Sequence, residues 1–288
     1  MISLFQAAIL GLIQGLTELF PISSLGHSVI IPKLLGWDIP QNSSYFLTFL
    51  VATHLATATV LFVFFLPEWK RIFRGLGRSF AQREVKTSDT YAKLGWLLVV
   101  GTIPAGIIGL LLQDHIRNLF NSAEIAASFL MVNGLILLGA EKLRKNRASA
   151  AHQTSLQSDE HVAKLSWSSA VFVGTAQAAA LIPGISRSGS SMAGGLLAGL
   201  DNEAAARFSF LLATPVIGAA AVLKLPELFS SDASGLRGAA LVGAIFAAAA
   251  AYFSVKFLTK YFKTSNLKPF GYYCILAGLT SLILLALK

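Results

Sequence analysis

Apolar residues run through this chain in long blocks, and six blocks approach or exceed the ~20 residues that a helix needs to cross a bilayer. They lie at about 45–66, 91–112, 123–141, 204–224, 237–258 and 269–287. Two further apolar stretches, 1–36 and 167–200, are interrupted in their middles by Pro, Gly and clustered Ser. A broken helix of that kind is expected to enter the membrane and turn back as a re-entrant hairpin, with its freed backbone buried in protein or lining a wet cavity.

The two interrupted stretches are copies of each other. Gly11 to Asp38 aligns without a gap on Gly174 to Asp201, with nine identical pairs that include Gly11/Gly174, Gln14/Gln177, Ser23/Ser186, Gly26/Gly189, Ser28/Ser191 and Gly36/Gly199. Each half is then one hairpin plus three spans: a first repeat over 1–141, a basic linker over 142–166 with a mobile Ala/Ser/Gln-rich middle, and a second repeat over 167–288. Three crossings per half turn the second copy upside down. The expected fold is therefore an all-α integral membrane protein, six transmembrane helices plus two re-entrant helical hairpins arranged as an inverted-topology repeat, with the broken tips meeting near mid-membrane. The pairs Gly11/Gly15 and Gly195/Gly199 have the spacing of closely packed membrane helices.

Composition agrees: 55% of the 288 residues are hydrophobic, 13% are charged, and the mean hydropathy is +0.66. The net charge of +9 would suggest nucleic acid in a soluble chain. Here the cations fall in three clusters between apolar blocks, Lys70 to Lys86, Lys142 to Lys164 and Lys256 to Lys268, so they read as topology signals and no nucleic-acid partner is expected. With hairpins that do not cross, all three clusters share the cytoplasmic side and both termini lie outside. No Lys or Arg precedes Lys33, so the apolar start lacks the basic region of a signal peptide. The single Cys274 leaves no disulfide within one chain.

Chemistry concentrates at the tips. In the first, Gln14 and Glu18 share a helix face, Pro21 weakens the helix, and Ser23, Ser24 and His27 follow on the turn and the next helix start. In the second, Pro183 and Gly184 precede Ser186, Arg187, Ser188, Gly189, Ser190 and Ser191. Glycines that let amides turn inward, several hydroxyls and one guanidinium fork make an anion cradle suited to phosphate at a helix N-terminus. Glu18 and Arg187 are ionisable groups inside the membrane, where charge is costly and usually functional; the plainer alternative is an ion pair that only locks the repeats together. His27, three residues from Ser24, is a candidate general acid or base. His54, inside the first span, either lines the cavity or bonds a neighbouring helix.

Together the two motifs resemble the undecaprenyl-diphosphate phosphatase family of the bacitracin-resistance type. The likeness also takes in Gly101 to Ala105, Phe208 to Ala213 and Pro215, so it spans essentially the whole chain. Leu25 stands where the family commonly has Thr, and Ser191 replaces the usual Thr at the end of the second motif. The resemblance implies hydrolysis of undecaprenyl diphosphate to undecaprenyl phosphate and inorganic phosphate. That reaction recycles the carrier lipid for cell-wall synthesis and underlies bacitracin resistance, in the bacterial inner membrane with the active site opening to the outer face. It implies a divalent cation, Mg2+ or Ca2+, on Glu18. On that footing Glu18, Ser24, His27 and Arg187 are the expected catalytic residues, and Gln14, Ser23, Ser186, Ser188 and Ser191 the substrate-binding ones. The nucleophile is Ser24 activated by His27, or water activated by His27 or Glu18. A homodimer is compatible with the close-packing glycines. The competing class is a transporter or flippase for a polyprenyl phosphate or another anionic lipid, because inverted repeats with broken helices are also the frame of alternating-access carriers.

Overall fold

The structure, a computed structural model, describes residues 2–39, 43–86, 88–119, 122–148, 158–224 and 235–288. Every regular element among them is helical: α1 Leu4–Leu19, α2 Ser24–Leu34, α3 Ser44–Phe64, α4 Leu66–Gln82, α5 Thr90–Leu119, α6 Ala123–Ala148, α7 Ser158–Ala163, α8 Trp167–Ala178, α9 Arg187–Leu197, α10 Asn202–Lys224, α11 Arg237–Tyr261 and α12 Lys268–Ala286. Six of them, α3, α5, α6, α10, α11 and α12, are long and apolar enough to cross a membrane, and they coincide with the six apolar blocks of the sequence. α1, with 16 residues, and α8, with 12, are shorter than the ~20 residues of a crossing.

Two features depart from the apolar pattern. α6 continues through Lys142 to Ala148 into the segment assigned to the linker, because Lys, Leu and Arg sustain a helix without an apolar face and Arg144 donates to Glu141 Oε1 at 2.8 and 3.0 Å. The middle of that linker, 149–157, lies outside the described residues. A separate amphipathic helix, α4, follows the first span; its Trp69, Ile72, Gly75 and Ser79 are buried, with Gly75 against the Tyr91–Ala92 backbone of α5.

Packing runs opposite to that of a soluble bundle. α11 buries Ala239, Ala240, Gly243, Ala247, Ala250, Ala251 and Ser254, while Leu241, Ile245, Phe253 and Phe257 face outward. Lipid tails are as apolar as Leu, so helices gain by close backbone approach of small residues and leave large side chains to the lipid. The closest approaches join the halves. A Cβ on Gly11 of α1 would collide with the Gly243 carbonyl of α11, and one on Gly174 of α8 with the Gly101 carbonyl of α5. Gly15 abuts Ala247 and Ala250 in the same α1–α11 crossing, but of the second spaced pair only Gly195 packs, against Ala205. Gly199 meets nothing within 4 Å and has φ +100°, so it serves as the left-handed turn after α9, as Gly36, φ +69°, does after α2.

Polar contacts sort the helix ends. Lys288 reaches the Lys33 carbonyl and Tyr45 the Gly235 carbonyl, gathering the end of α2, the start of α3, the approach to α11 and the end of α12. At the opposite end Arg207 pairs with Asp159 and Glu68, Tyr91 donates to Asp159, and Leu267 N donates to Glu141. The basic segments on α4, in the last turns of α6 and at the end of α11 therefore share that end.

Gly11→Ala and Gly174→Ala should each lower the melting temperature of the purified protein, by the equivalent of ~1–3 kcal/mol for an overpacked contact. Gly218→Ala, with nothing within 4 Å, should be neutral or slightly stabilising. Thermal unfolding of the three variants in detergent checks this.

Candidate active site

Both breaks are built alike. Phe20 caps α1 in an extended conformation, ψ 137°, as the residue before Pro21 must. Ser23, φ +69°, caps α2 by accepting from Gly26 N at 3.1 Å. After α8 a 3-10 turn over Ala179–Leu181 leads to extended Ile182 ahead of Pro183, and Ser186 caps α9 by accepting from Gly189 N at 3.0 Å. The tips then meet. A Cβ on Gly26 would press on Gly184, Ser23 Oγ donates to the Ile185 carbonyl at 3.1 Å, and Ser188 Oγ lies 3.1 and 3.2 Å from the Glu18 and Phe20 carbonyls. Asn133 of α6 clamps both: its Nδ2 donates to the Pro21 carbonyl at 3.0 Å, and its Oδ1 accepts from Ser186 N at 3.0 Å.

Glu18 is the centre. It is 4% exposed, and both oxygens are engaged. Oε1 accepts from Arg187 Nε at 3.1 Å, while Oε2 accepts from Ser24 Oγ at 2.6 Å and Gln14 Nε2 at 3.1 Å and lies 3.2 Å from His54 Nε2. A carboxylate held in a low-dielectric interior needs such a shell, since an unpaired buried charge costs several kcal/mol. Arg187 Nη1 donates to the Ser209 carbonyl at 3.3 Å. Its Nη2 is buried without a partner, so one arm of the fork remains for an anion.

This centre forms the polar end of a cavity of about 460 Å³. Glu18, Ser24, His54, Gln177, Ser186 and Arg187 line it among otherwise mostly apolar residues of α3, α5 and α10 such as Leu50, Val51, Ala105, Val216 and Ile217. The remaining expected residues stand behind this wall. Gln14 and Ser188 brace Glu18 and the first break, Ser23 ties the tips, and Ser191 Oγ sits 2.7 Å from Ser209 Oγ and 2.8 Å from the Arg187 carbonyl.

The pairing of His27 with Ser24 is not formed. His27 Nδ1 lies 2.7 Å from the Ser23 carbonyl and Nε2 2.8 Å from Tyr273 OH, with the two rings stacked 5.8 Å apart. Both nitrogens are thus satisfied, one by the cap of α2 and one by α12, and the imidazole beside Ser24 and Glu18 is that of His54. The open choice at His54 resolves as both: it lines the cavity and meets Glu18 of the neighbouring α1 through Nε2 at 3.2 Å, while Nδ1 bonds the Leu50 carbonyl of its own helix at 2.7 Å. Asn133, Ser209 and Tyr273 were missed. A lone amide within the third apolar block was a usable signal for Asn133; the other two carry none apart from the fold.

Among the described residues no group of three His, Cys, Asp or Glu gathers. The oxygen donors at this end are one carboxylate, Glu18, and one amide oxygen of a wall residue, Gln177 Oε1, with Gln14 behind Glu18; both amide oxygens are buried without partners. Hard oxygen donors with a single carboxylate fit Mg2+ or Ca2+ that would take most of its ligands from outside the protein, not a thiolate or imidazole metal.

Helical spans around a charged centre at the end of an apolar cavity define a membrane protein equipped for an anionic amphiphile. Residues 7–280 match the family described as bacitracin resistance protein BacA, and the chain belongs to that family. It is 44% identical over 303 residues to the undecaprenyl-diphosphatase of Mycolicibacterium paratuberculosis, covering 100% of this chain and 99% of the relative. It is 46% identical over 284 residues to that of Granulibacter bethesdensis, covering 96% and 95%.

Asn133→Ala removes the partners of Ser186 N and the Pro21 carbonyl at once. With ~1–3 kcal/mol for each buried group left unpaired, a clear drop in melting temperature is expected, together with faster amide exchange at Ser186 read by hydrogen–deuterium exchange.

Proposed function

We propose that this protein removes the terminal phosphate of undecaprenyl diphosphate. The observation that carries the reading is the unpartnered Nη2 of Arg187 beside the Glu18–Ser24 pair at the end of an apolar cavity. An amphiphile with a polyanionic head matches that shape: the head on the polar end, the first isoprene units along the apolar wall, and the remaining tail in the bilayer.

The Arg187 side chain and the amides of Arg187 and Ser188, which have no intrahelical acceptor, hold the terminal phosphoryl oxygens and stabilise charge there as transfer proceeds. Ser24 Oγ, aligned by its hydrogen bond to Glu18 Oε2, attacks the terminal phosphorus and gives its proton to that oxygen. The bond from phosphorus to the bridging oxygen breaks, and its electron pair leaves with undecaprenyl phosphate. Glu18 passes that proton to the departing undecaprenyl phosphate; water, deprotonated by the restored carboxylate, then attacks the phosphorus, and the phosphorus–Ser24 Oγ bond breaks as Oγ takes up the proton, releasing inorganic phosphate. Gln14, Ser23, Ser188 and Ser191 position this centre through the contacts described above, and His27 holds the first tip to Tyr273. A divalent cation would be held by Glu18 and the neighbouring amide oxygens and would supply neutralisation of the diphosphate charge.

We infer further that α1–α2 and α8–α9 are re-entrant hairpins of opposite orientation. Supporting this are the shortness of α1 and α8, the matching Ser caps and left-handed Gly turns, and the crossed packing of α1 on α11 and α8 on α5. The positive-inside rule puts the basic end in the cytoplasm and both termini outside, in the bacterial plasma membrane.

Phosphate release from undecaprenyl diphosphate should fall about 10²–10³-fold in Arg187→Ala, the usual cost of losing one preorganised donor. It should vanish in Ser24→Ala and be lost reversibly on EDTA treatment. Lipid binding and translocation by folded wild type with no phosphate released would assign the chain to the carriers instead. For topology, a cysteine at Ser3 should react with an impermeant maleimide in intact cells, and one at Arg83 only after permeabilisation.

A further inference from the structure

α4 carries four cations, Lys70, Arg71, Arg74 and Arg78, against one acid, Glu68. Two of the cations are used within the protein. Arg78 grips Asp89 with two bonds of 2.9 and 3.0 Å, and Arg71 donates to Tyr91 OH at 2.8 Å with its guanidinium 5.4 Å from the ring centre. Lys70 and Arg74 are exposed, one turn apart, and have no carboxylate partner among the described residues. Like charges at that spacing repel, so an external anion would relieve them.

The adjoining face is apolar and equally unpartnered. Phe73 is 54% and Phe80 66% exposed, seven residues apart and therefore on one side of the helix. Their rings continue an aromatic row set by the spans. Phe62, in the last turn of α3, lies 5.8 Å from Trp69, which lies 5.5 Å from Phe73, and Phe80 lies 5.2 Å from Trp96, near the start of α5. Aromatic rings at span ends sit at headgroup depth. A helix that joins such a row to a cationic stripe has the make-up of one lying in the interface. Exposed Arg83 and Lys86 extend the cationic edge.

We propose that α4 is an interfacial helix that binds anionic phospholipid headgroups, with Lys70 and Arg74 holding the lipid phosphates and Phe73 and Phe80 seated at the acyl boundary. This surface is independent of the phosphatase reading.

The test uses full-length protein in phosphatidylcholine vesicles, titrated with spin-labelled phosphatidylglycerol or phosphatidylcholine, reading the fraction of motionally restricted label. Wild type should prefer the anionic label, and Lys70→Gln with Arg74→Gln should weaken that preference, by up to about fivefold per cation removed. The same pair of changes at Lys260 and Lys263, at the same end of the molecule, should leave most of it. No preference in wild type, or an equal loss in both double variants, overturns the proposal. A nitroxide placed through Phe73→Cys should be relaxed by oxygen more than by a water-soluble nickel chelate. The reverse would put this face in water, assign it to a soluble partner and overturn the lipid assignment even if the variants aggregate.

Discussion

The structure depends on one buried carboxylate. Glu18 enters from one broken helix and Arg187 from the other, so neither repeat satisfies its own charge. Removing one partner of a buried pair costs roughly 3–5 kcal/mol. That penalty holds two non-contiguous tips in register, and it gathers Ser24, Gln14 and His54 around the same two oxygens. The pair that joins the tips also lines the cavity. The unused arm of Arg187 is what separates a site from a mere lock.

Everything outside that centre allows the tips to stay broken. Freed amides and carbonyls buried among apolar helices need partners from protein. Asn133, Ser23, Ser186 and Ser188 supply them from three different elements. Close approach does the rest, because Gly11 on Gly243 and Gly174 on Gly101 bring each broken segment's first helix against a span of the other half. The large side chains thereby displaced to the outside, such as Phe253 and Leu276, meet lipid, where they cost nothing.

The structure brings some of the motif residues to the cavity and leaves others behind it. Glu18, Ser24, Ser186 and Arg187 reach the cavity, because residues around a Pro-broken tip have few other places to go. His27 was coupled to Ser24 on spacing alone. A three-residue offset on a helix start allows that contact without requiring it, and Tyr273, nearly 250 positions away, decides the rotamer. His54 stood undecided for the same reason: whether an imidazole in an apolar span meets a carboxylate depends on which helix packs beside it. α4 escaped the apolar reading because its pattern is amphipathic rather than continuous.

From its own pattern the chain determined the number of spans, the two breaks and the residues able to carry charge. These are local consequences of hydropathy, proline and glycine, and they need no partner to be read. Only the tertiary structure decided which hydroxyl faces Glu18, which imidazole shares it, which amide oxygens stay free and where the apolar wall closes. Those depend on contacts between residues more than 100 positions apart, as Asn133 with Pro21 and Arg187 with Glu18 are, and no local preference encodes such a distance.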